Sequence, residues 1–132
     1  MFVDSSAIVA ILIDAPEAGA LIERLDATAT PRITTPTAVF EATTVLGKRL
    51  ELEPATADRL VKEFLDVLEI RITPVTEEMA ASALEAFALY GKGRHPAALN
   101  FGDCFSYAGS RAANVPLLYA GDGFSQTDLR QY

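Results

Sequence analysis

Apolar positions along the chain change their period repeatedly, and the changes mark out short strands alternating with helices. Met1-Phe2-Val3 is an apolar run that stops at Asp4. Ser5 to Leu12 then reads as a helix, with Asp4 or Ser5 placed to cap it. Pro16 suits the first turn of a second helix reaching Leu25, with Leu21, Ile22 and Leu25 on one face. Arg32-Ile33-Thr34-Thr35 is β-like and is closed by Pro36. From Thr37 to Leu50 the spacing is helical, and Val39, Thr43, Leu46 and Leu50 share a face. Pro54 opens a further helix with Leu60, Phe64, Leu65 and Leu68 as its apolar stripe. Ile70-Arg71-Ile72-Thr73 alternates as a strand does. A helix follows from about Thr76 to Tyr90, then a loop of breakers over 91–96, then a helix from Leu99 or Asn100 to about Ala113. Pro116 to Ala120 has the character of a buried strand, Gly121-Asp122-Gly123 of a turn, and Thr127-Asp128-Leu129 of a short last strand.

Short strands separated by helices predict an α/β fold whose parallel sheet is covered on both faces. Ligands of such sheets sit outside the carboxyl ends of the strands, which is where Asp4 and Asp122 fall. With no repeat, linker or low-complexity stretch, the 132 residues predict a single domain over residues 1–132.

Half of the residues are apolar, enough for a core without disulfides. The lone Cys104 is expected to be a buried thiol, which fits a reducing compartment. The opening residues lack a basic segment, and no apolar run approaches the roughly 18 residues of a membrane span. These features predict a cytoplasmic protein with no membrane partner. A net charge of −7 argues against a broad basic surface for duplex DNA and leaves room for a basic partner.

Four carboxylates change this picture. Asp4 ends an apolar run, and Glu41 lies inside Ala38-Val39-Phe40-Glu41-Ala42. Asp103 is wedged between Phe101-Gly102 and Cys104-Phe105, and Asp122 follows Leu117-Leu118-Tyr119-Ala120-Gly121. Burying an acid is costly unless it is paired, protonated or bound to a metal. Singly, Asp4 reads equally well as a helix cap and Asp122 as a turn residue. Jointly, and with no His or Cys cluster beside them, the four suggest one site for a hard cation, Mg²⁺ or Mn²⁺. Ser6, two residues after Asp4, is placed to hydrogen-bond that carboxylate or to cap the helix.

Met1-Phe-Val-Asp-Ser-Ser-Ala7, Phe40-Glu41, the stretch from Tyr90 to Ala108 containing Asn100-Phe-Gly-Asp-Cys-Phe-Ser-Tyr-Ala108, and Leu117 to Asp128 together resemble the PIN domain family. More narrowly they resemble the VapC toxins of bacterial toxin–antitoxin pairs. The resemblance spans the chain and is most specific from Tyr90 to Ala108. It implies a PIN-like three-layer sandwich and an endoribonuclease holding one or two Mg²⁺ or Mn²⁺ ions, acting on structured RNA such as tRNA. By motif position the metal-binding and catalytic acids are Asp4, Glu41 and Asp103. Asp4 and Asp103 are direct ligands, and Glu41 acts through water or as a general base. Asp122, in the fourth acidic motif, is the candidate for the fourth catalytic and metal-binding acid, although the chain departs from the pattern there. Relatives usually place Asp directly before the Phe, and here that residue is Gly123. Ala120 stands where a Lys often does. Ser6, Lys92, Arg94 and His95 are candidate substrate-binding residues, with Lys48 and Arg49 as further candidates for gripping phosphate. The implied partners are a cognate VapB-type antitoxin that lays an Arg or Lys in the acid cluster, an RNA substrate, and a second copy in a homodimer. A higher-order toxin–antitoxin complex would reach operator DNA only through the antitoxin.

Three rivals remain. Haloacid-dehalogenase chemistry needs a second Asp where Ser6 stands. A receiver domain needs a Lys after the late strand, and none follows Leu118. Gly123 keeps a third alternative open: a catalytically weak PIN domain that serves mainly to bind an antitoxin and repress its operon.

Overall fold

The register of four two-residue strands sorts the core into two halves. A computed structural model describes residues 1–129. In chain order the elements are β1 (Phe2–Val3), α1 (Ser5–Leu12), α2 (Ala18–Ala27), β2 (Ile33–Thr34), α3 (Pro36–Leu50), α4 (Pro54–Val67), β3 (Arg71–Ile72), α5 (Glu77–Tyr90), α6 (Phe101–Ala113), β4 (Leu117–Leu118) and a 3₁₀ turn (Gly123–Gln126). The strands lie parallel in the order β3-β2-β1-β4. Phe2 pairs with Ile33 and Leu117, and Val3 with Leu118.

Side chains alternate across a strand, so neighbouring residues enter opposite cores. Met1, Val3 and Leu118 pack with α1 to α4 in one cluster that includes Ile8, Leu21, Leu25, Leu46 and Phe64. Phe2, Ile33 and Leu117 pack with α5 and α6, against Ala83, Ala86, Cys104 and Tyr107. The result is the expected three-layer arrangement, with Cys104 buried as a free thiol. Close approach of α6 to the sheet depends on Gly109, because a Cβ there would strike the ring of Phe2.

Local chemistry sets the helix starts. Pro36 and Pro54 occupy the first turns of α3 and α4, where no N–H is needed. Thr76 caps α5 by accepting from the Met79 amide at 3.2 Å. Asn100 and Asp103 cap α6 reciprocally, each side chain accepting from the other's amide at 2.9 and 3.0 Å.

Several local expectations are corrected. The second helix begins at Ala18 with Glu17 as its cap, so Pro16 lies in the preceding turn. Ile22 and Leu50 face outward, and Ala42 joins Val39 and Leu46 on the buried face of α3. In α4 the buried stripe is Ala57, Val61, Phe64 and Leu65, leaving Leu60 at its margin. Thr127 to Leu129 does not form a strand. The Thr127 hydroxyl donates to Phe124 O at 2.8 Å and accepts from the Leu129 amide at 3.3 Å. These side-chain bonds satisfy a bent backbone without a neighbouring strand. Among the described residues no helix is long and apolar enough to cross a membrane.

Candidate active site

Parallel strands deliver their carboxyl ends to one edge, and the site lies on that edge. Asp4 leaves β1 there, with its amide bonded to Leu118 O at 3.0 Å. The first turns of α1 and α6 meet it, and α3 passes alongside. They enclose a cleft of about 460 Å³ lined by Asp4, Ser5, Ser6, Glu41, Arg49, Asn100 and Asp103 among others. Three of the four predicted acids are thus brought together from positions 4, 41 and 103.

Each carboxylate is held by neutral donors. Asp4, 1% exposed, accepts at Oδ2 from the Ser6 hydroxyl (2.5 Å) and amide (3.0 Å), and at Oδ1 from the Ser106 hydroxyl (2.5 Å). Ser6 is fixed in turn by the Ala120 amide, which donates to its Oγ at 3.0 Å. Glu41 accepts from the Ser5 hydroxyl. Its carboxylate rests against Gly102 in the first turn of α6, where any Cβ would run into it. The positive end of the helix favours a carboxylate at this place.

None of the three acids has a Lys, Arg or His ion pair among the described residues; the ion pairs lie elsewhere. The electrostatic result falls on Asp103. Burial lifts its pKa from 3.8 to about 6, and the charges of Asp4 and Glu41 push the same way against the lowering effect of the Asn100 amide.

The donor set is hard oxygen throughout, which suits Mg²⁺ or Mn²⁺ better than soft metals. Among the described residues no three His, Cys, Asp or Glu side chains already close into a cage. A cage is not what these ions need: Mg²⁺ retains several waters and uses one or two carboxylates. Asp4 and Asp103 in an open cleft, with Glu41 beside them, fit that requirement.

The remaining candidates lie apart. Asp122 is exposed ahead of the 3₁₀ turn and does not line the cleft, although Ala120 and Gly121 do. The left-handed residue of this turn is Gly121, with φ of 91°, whereas Gly123 has no positive φ. Lys92, Arg94 and His95 sit in the loop between α5 and α6 and do not line the cleft either. Arg94 lies over the Phe87 ring at 5.9 Å and donates to Ala88 O at 3.3 Å. His95 accepts from the Ala97 amide at 3.1 Å and meets Tyr90 edge-on at 5.2 Å. Arg49, unlike Lys48, does line the cleft. Gly102 and Ser106 carry no functional signal in the sequence, and Ser5 and Asn100 carry only that of a helix cap.

The fold and this arrangement of acids define a class. The family model of the PIN domain matches residues 1–129, and the chain belongs to the PIN domain family. Within it, similar proteins are VapC ribonucleases. One from Rhizobium meliloti is 39% identical, with 97% of this chain and 98% of that protein covered. Ribonuclease VapC42 of Mycobacterium tuberculosis is 39% identical over 98% of this chain and 97% of its own. Ribonuclease VapC36 of the same species is 38% identical over 98% and 91%. The crystal structure of Mycobacterium tuberculosis VapC20, a sarcin–ricin loop cleaving toxin, shares the fold with a TM-score of 0.74 at 20% identity, covering 99% of this chain and 97% of that one.

Proposed function

We propose that the chain is a divalent-metal-dependent endoribonuclease and the toxin of a toxin–antitoxin pair. The observation that carries this reading is the convergence of Asp4, Glu41 and Asp103 on one cleft without a paired cation. In this reading Asp4 and Asp103 hold Mg²⁺ or Mn²⁺. The bound ion supplies activation of water and neutralisation of charge on the scissile phosphate. Glu41, held by Ser5 and Gly102, orients the attacking water or takes its proton. A cleft of acids repels a polyanion, so RNA needs cationic contacts at its margin. Arg49 is the side chain placed for a phosphate flanking the cut. Lys92, Arg94 and His95 act only on RNA that extends beyond the cleft.

The substrate class is structured RNA, cut in an exposed loop whose bases are unstacked. The names of the relatives and the loop cut by VapC20 support this class, with tRNA as the first candidate. The partner is a VapB-type antitoxin that places a basic side chain among the acids. The toxin acts as a homodimer in the cytoplasm, assembles with its antitoxin into a larger complex, and reaches operator DNA only through it. Exposed Phe40, Leu84, Phe87 and Phe101 support protein contacts of this kind.

The test is incubation of the purified chain with tRNA and with a sarcin–ricin hairpin, in Mn²⁺ and in excess EDTA. Cleavage in Mn²⁺ alone, abolished by Asp4→Asn and Asp103→Asn, is the expected result. Full cleavage in EDTA contradicts the metal requirement. If the folded chain binds Mn²⁺ yet cuts no RNA unless Gly123→Asp is introduced, the weak antitoxin-binding alternative is correct instead.

A further inference from the structure

Asp4 is bound unevenly, and the imbalance identifies a residue that works through it. A carboxylate offers about four acceptor sites, two on each oxygen. Among the described residues, Oδ2 takes two donors, the Ser6 amide and hydroxyl, whereas Oδ1 takes one, the Ser106 hydroxyl. Protein donors therefore take both acceptor sites of Oδ2 and one of the two on Oδ1. Ser6 is locked to the Ala120 amide and belongs to the element that follows Asp4 itself. Ser106 comes from α6, one turn after Asp103 and on the same face, and is 2% exposed.

We propose that Oδ1 is the oxygen of Asp4 that faces a divalent cation, and that Ser106 is the positioning residue that aims it. This inference rests on the metal reading above and adds to it an oxygen and a supporting side chain. The Ser106 hydroxyl ties Asp4 to the helix that carries Asp103, so the two ligands are set by one rigid element. Without the hydroxyl the Asp4 carboxylate loses its link to α6 and is held by Ser6 at Oδ2 alone. Groups that orient a metal-binding side chain in this way are worth about ten- to a hundredfold in metal affinity.

A control is built into the same helix. Ser110 is one turn further on, is equally buried at 2% exposure, and donates to a backbone carbonyl, Val115 O, at 2.7 Å. Removing its hydroxyl deletes a comparable buried hydrogen bond without touching an acid.

The experiment is calorimetric titration of the purified chain with Mn²⁺, paired with thermal melting in EDTA, for wild type, Ser106→Ala, Ser106→Thr and Ser110→Ala. The expected result is Mn²⁺ affinity about tenfold or more weaker in Ser106→Ala, recovered at least in part by the hydroxyl of Ser106→Thr. Ser110→Ala should melt at a lower temperature yet bind Mn²⁺ within about twofold of wild type. Wild-type affinity in Ser106→Ala overturns the proposal and leaves the metal reading intact. Equal weakening in Ser110→Ala also overturns it, because the effect is then general loosening of α6. If wild type binds no Mn²⁺, the metal reading fails and this inference fails with it.

Discussion

The two ends of α6 each hold a carboxylate, and they treat it in opposite ways. Asp103, in the first turn, faces Asp4 and Glu41 without an ion pair, and its pKa is lifted to about 6 by burial and then by its acidic neighbours. Asp128, beside the last turn, accepts from the Tyr107 hydroxyl at 2.7 Å and from Arg111 at 2.9 Å. Its pKa is lowered, first by the Tyr107 hydrogen bond. Tyr107 moves the other way, to about 12, through burial and then that same bond. One carboxylate fastens the chain after β4 onto the helix, and its charge is answered by protein. The other carries charge that the protein leaves unanswered. A carboxylate whose pKa is raised by burial and by like charges in a cleft is a candidate functional group, and this is the arrangement the proposed cation would relieve.

The largest expected effect separates the two directly. Asp103→Asn should lower Mn²⁺-dependent RNA cleavage by at least about a hundredfold. Asp128→Asn should leave kcat within about threefold and cost only about 0.5–1 kcal/mol, as partly exposed ion pairs do. Initial rates on one RNA, with melting curves, check both.

The glycines of α6 repeat the contrast. Gly102→Ala pushes against the Glu41 carboxylate, whereas Gly109→Ala pushes against the Phe2 ring. The first should reduce kcat about ten- to a hundredfold while the fold persists, since small displacements of a group proposed to act on the attacking water are costly. The second should destabilise by about 1–3 kcal/mol with Mn²⁺ affinity preserved. Equal loss of kcat in both folded variants would erase the functional division between the two halves of the helix.

Stability against pH should show opposite slopes in metal-free buffer. Asp103 has a raised pKa, so its contribution is complete below about pH 4 and is lost as pH rises through about 6. Asp128 has a lowered pKa, so its contribution is present above its ordinary 3.8 and is lost as pH falls through the depressed value. Relative to wild type, Asp103→Asn should therefore melt higher at pH 7 than at pH 4. Asp128→Asn should melt about 2–4 °C lower at pH 7, with the difference closing in acid. Parallel slopes would show that the two environments are not opposed.

The smallest effect is expected at Asp122. Its exposed position outside the cleft predicts a change in Mn²⁺ affinity below about twofold in Asp122→Asn, measured by the same titration. A Cβ at Gly123 meets only ordinary contacts, at 3.5 Å from Ala97 O and 3.9 Å from Leu99. Gly123→Asp should therefore fold, and tighter Mn²⁺ binding in it would show that this turn reaches the ion.

Much of the architecture was legible along the chain. The strands and helices followed from apolar period and from Pro, Gly and capping residues, all of them local signals. Asp4, Glu41 and Asp103 stood out because each interrupts an apolar context, and burial of charge is costly wherever the chain goes. What failed was also local: Leu60 and Leu50 continue a helical spacing, but only packing decides which side of the stripe is covered. Thr127 to Leu129 has strand-like residues, yet a strand needs a free neighbour, and here side chains satisfy the backbone instead.

The order of elements, the α/β class and the acids that interrupt apolar runs can therefore be read along the chain, because each is a property of a residue and its near neighbours. Packing in three dimensions is what makes Ser106 donate to an oxygen 102 positions away, and Gly102 make room for Glu41. It also decided that Arg49 rather than Lys92, Arg94 or His95 lines the cleft, and that Asp122 lies outside it. A hydroxyl or a missing Cβ carries no preference along the chain. Its role is set by whichever group the packing of α6 against the sheet and α3 brings within hydrogen-bond distance.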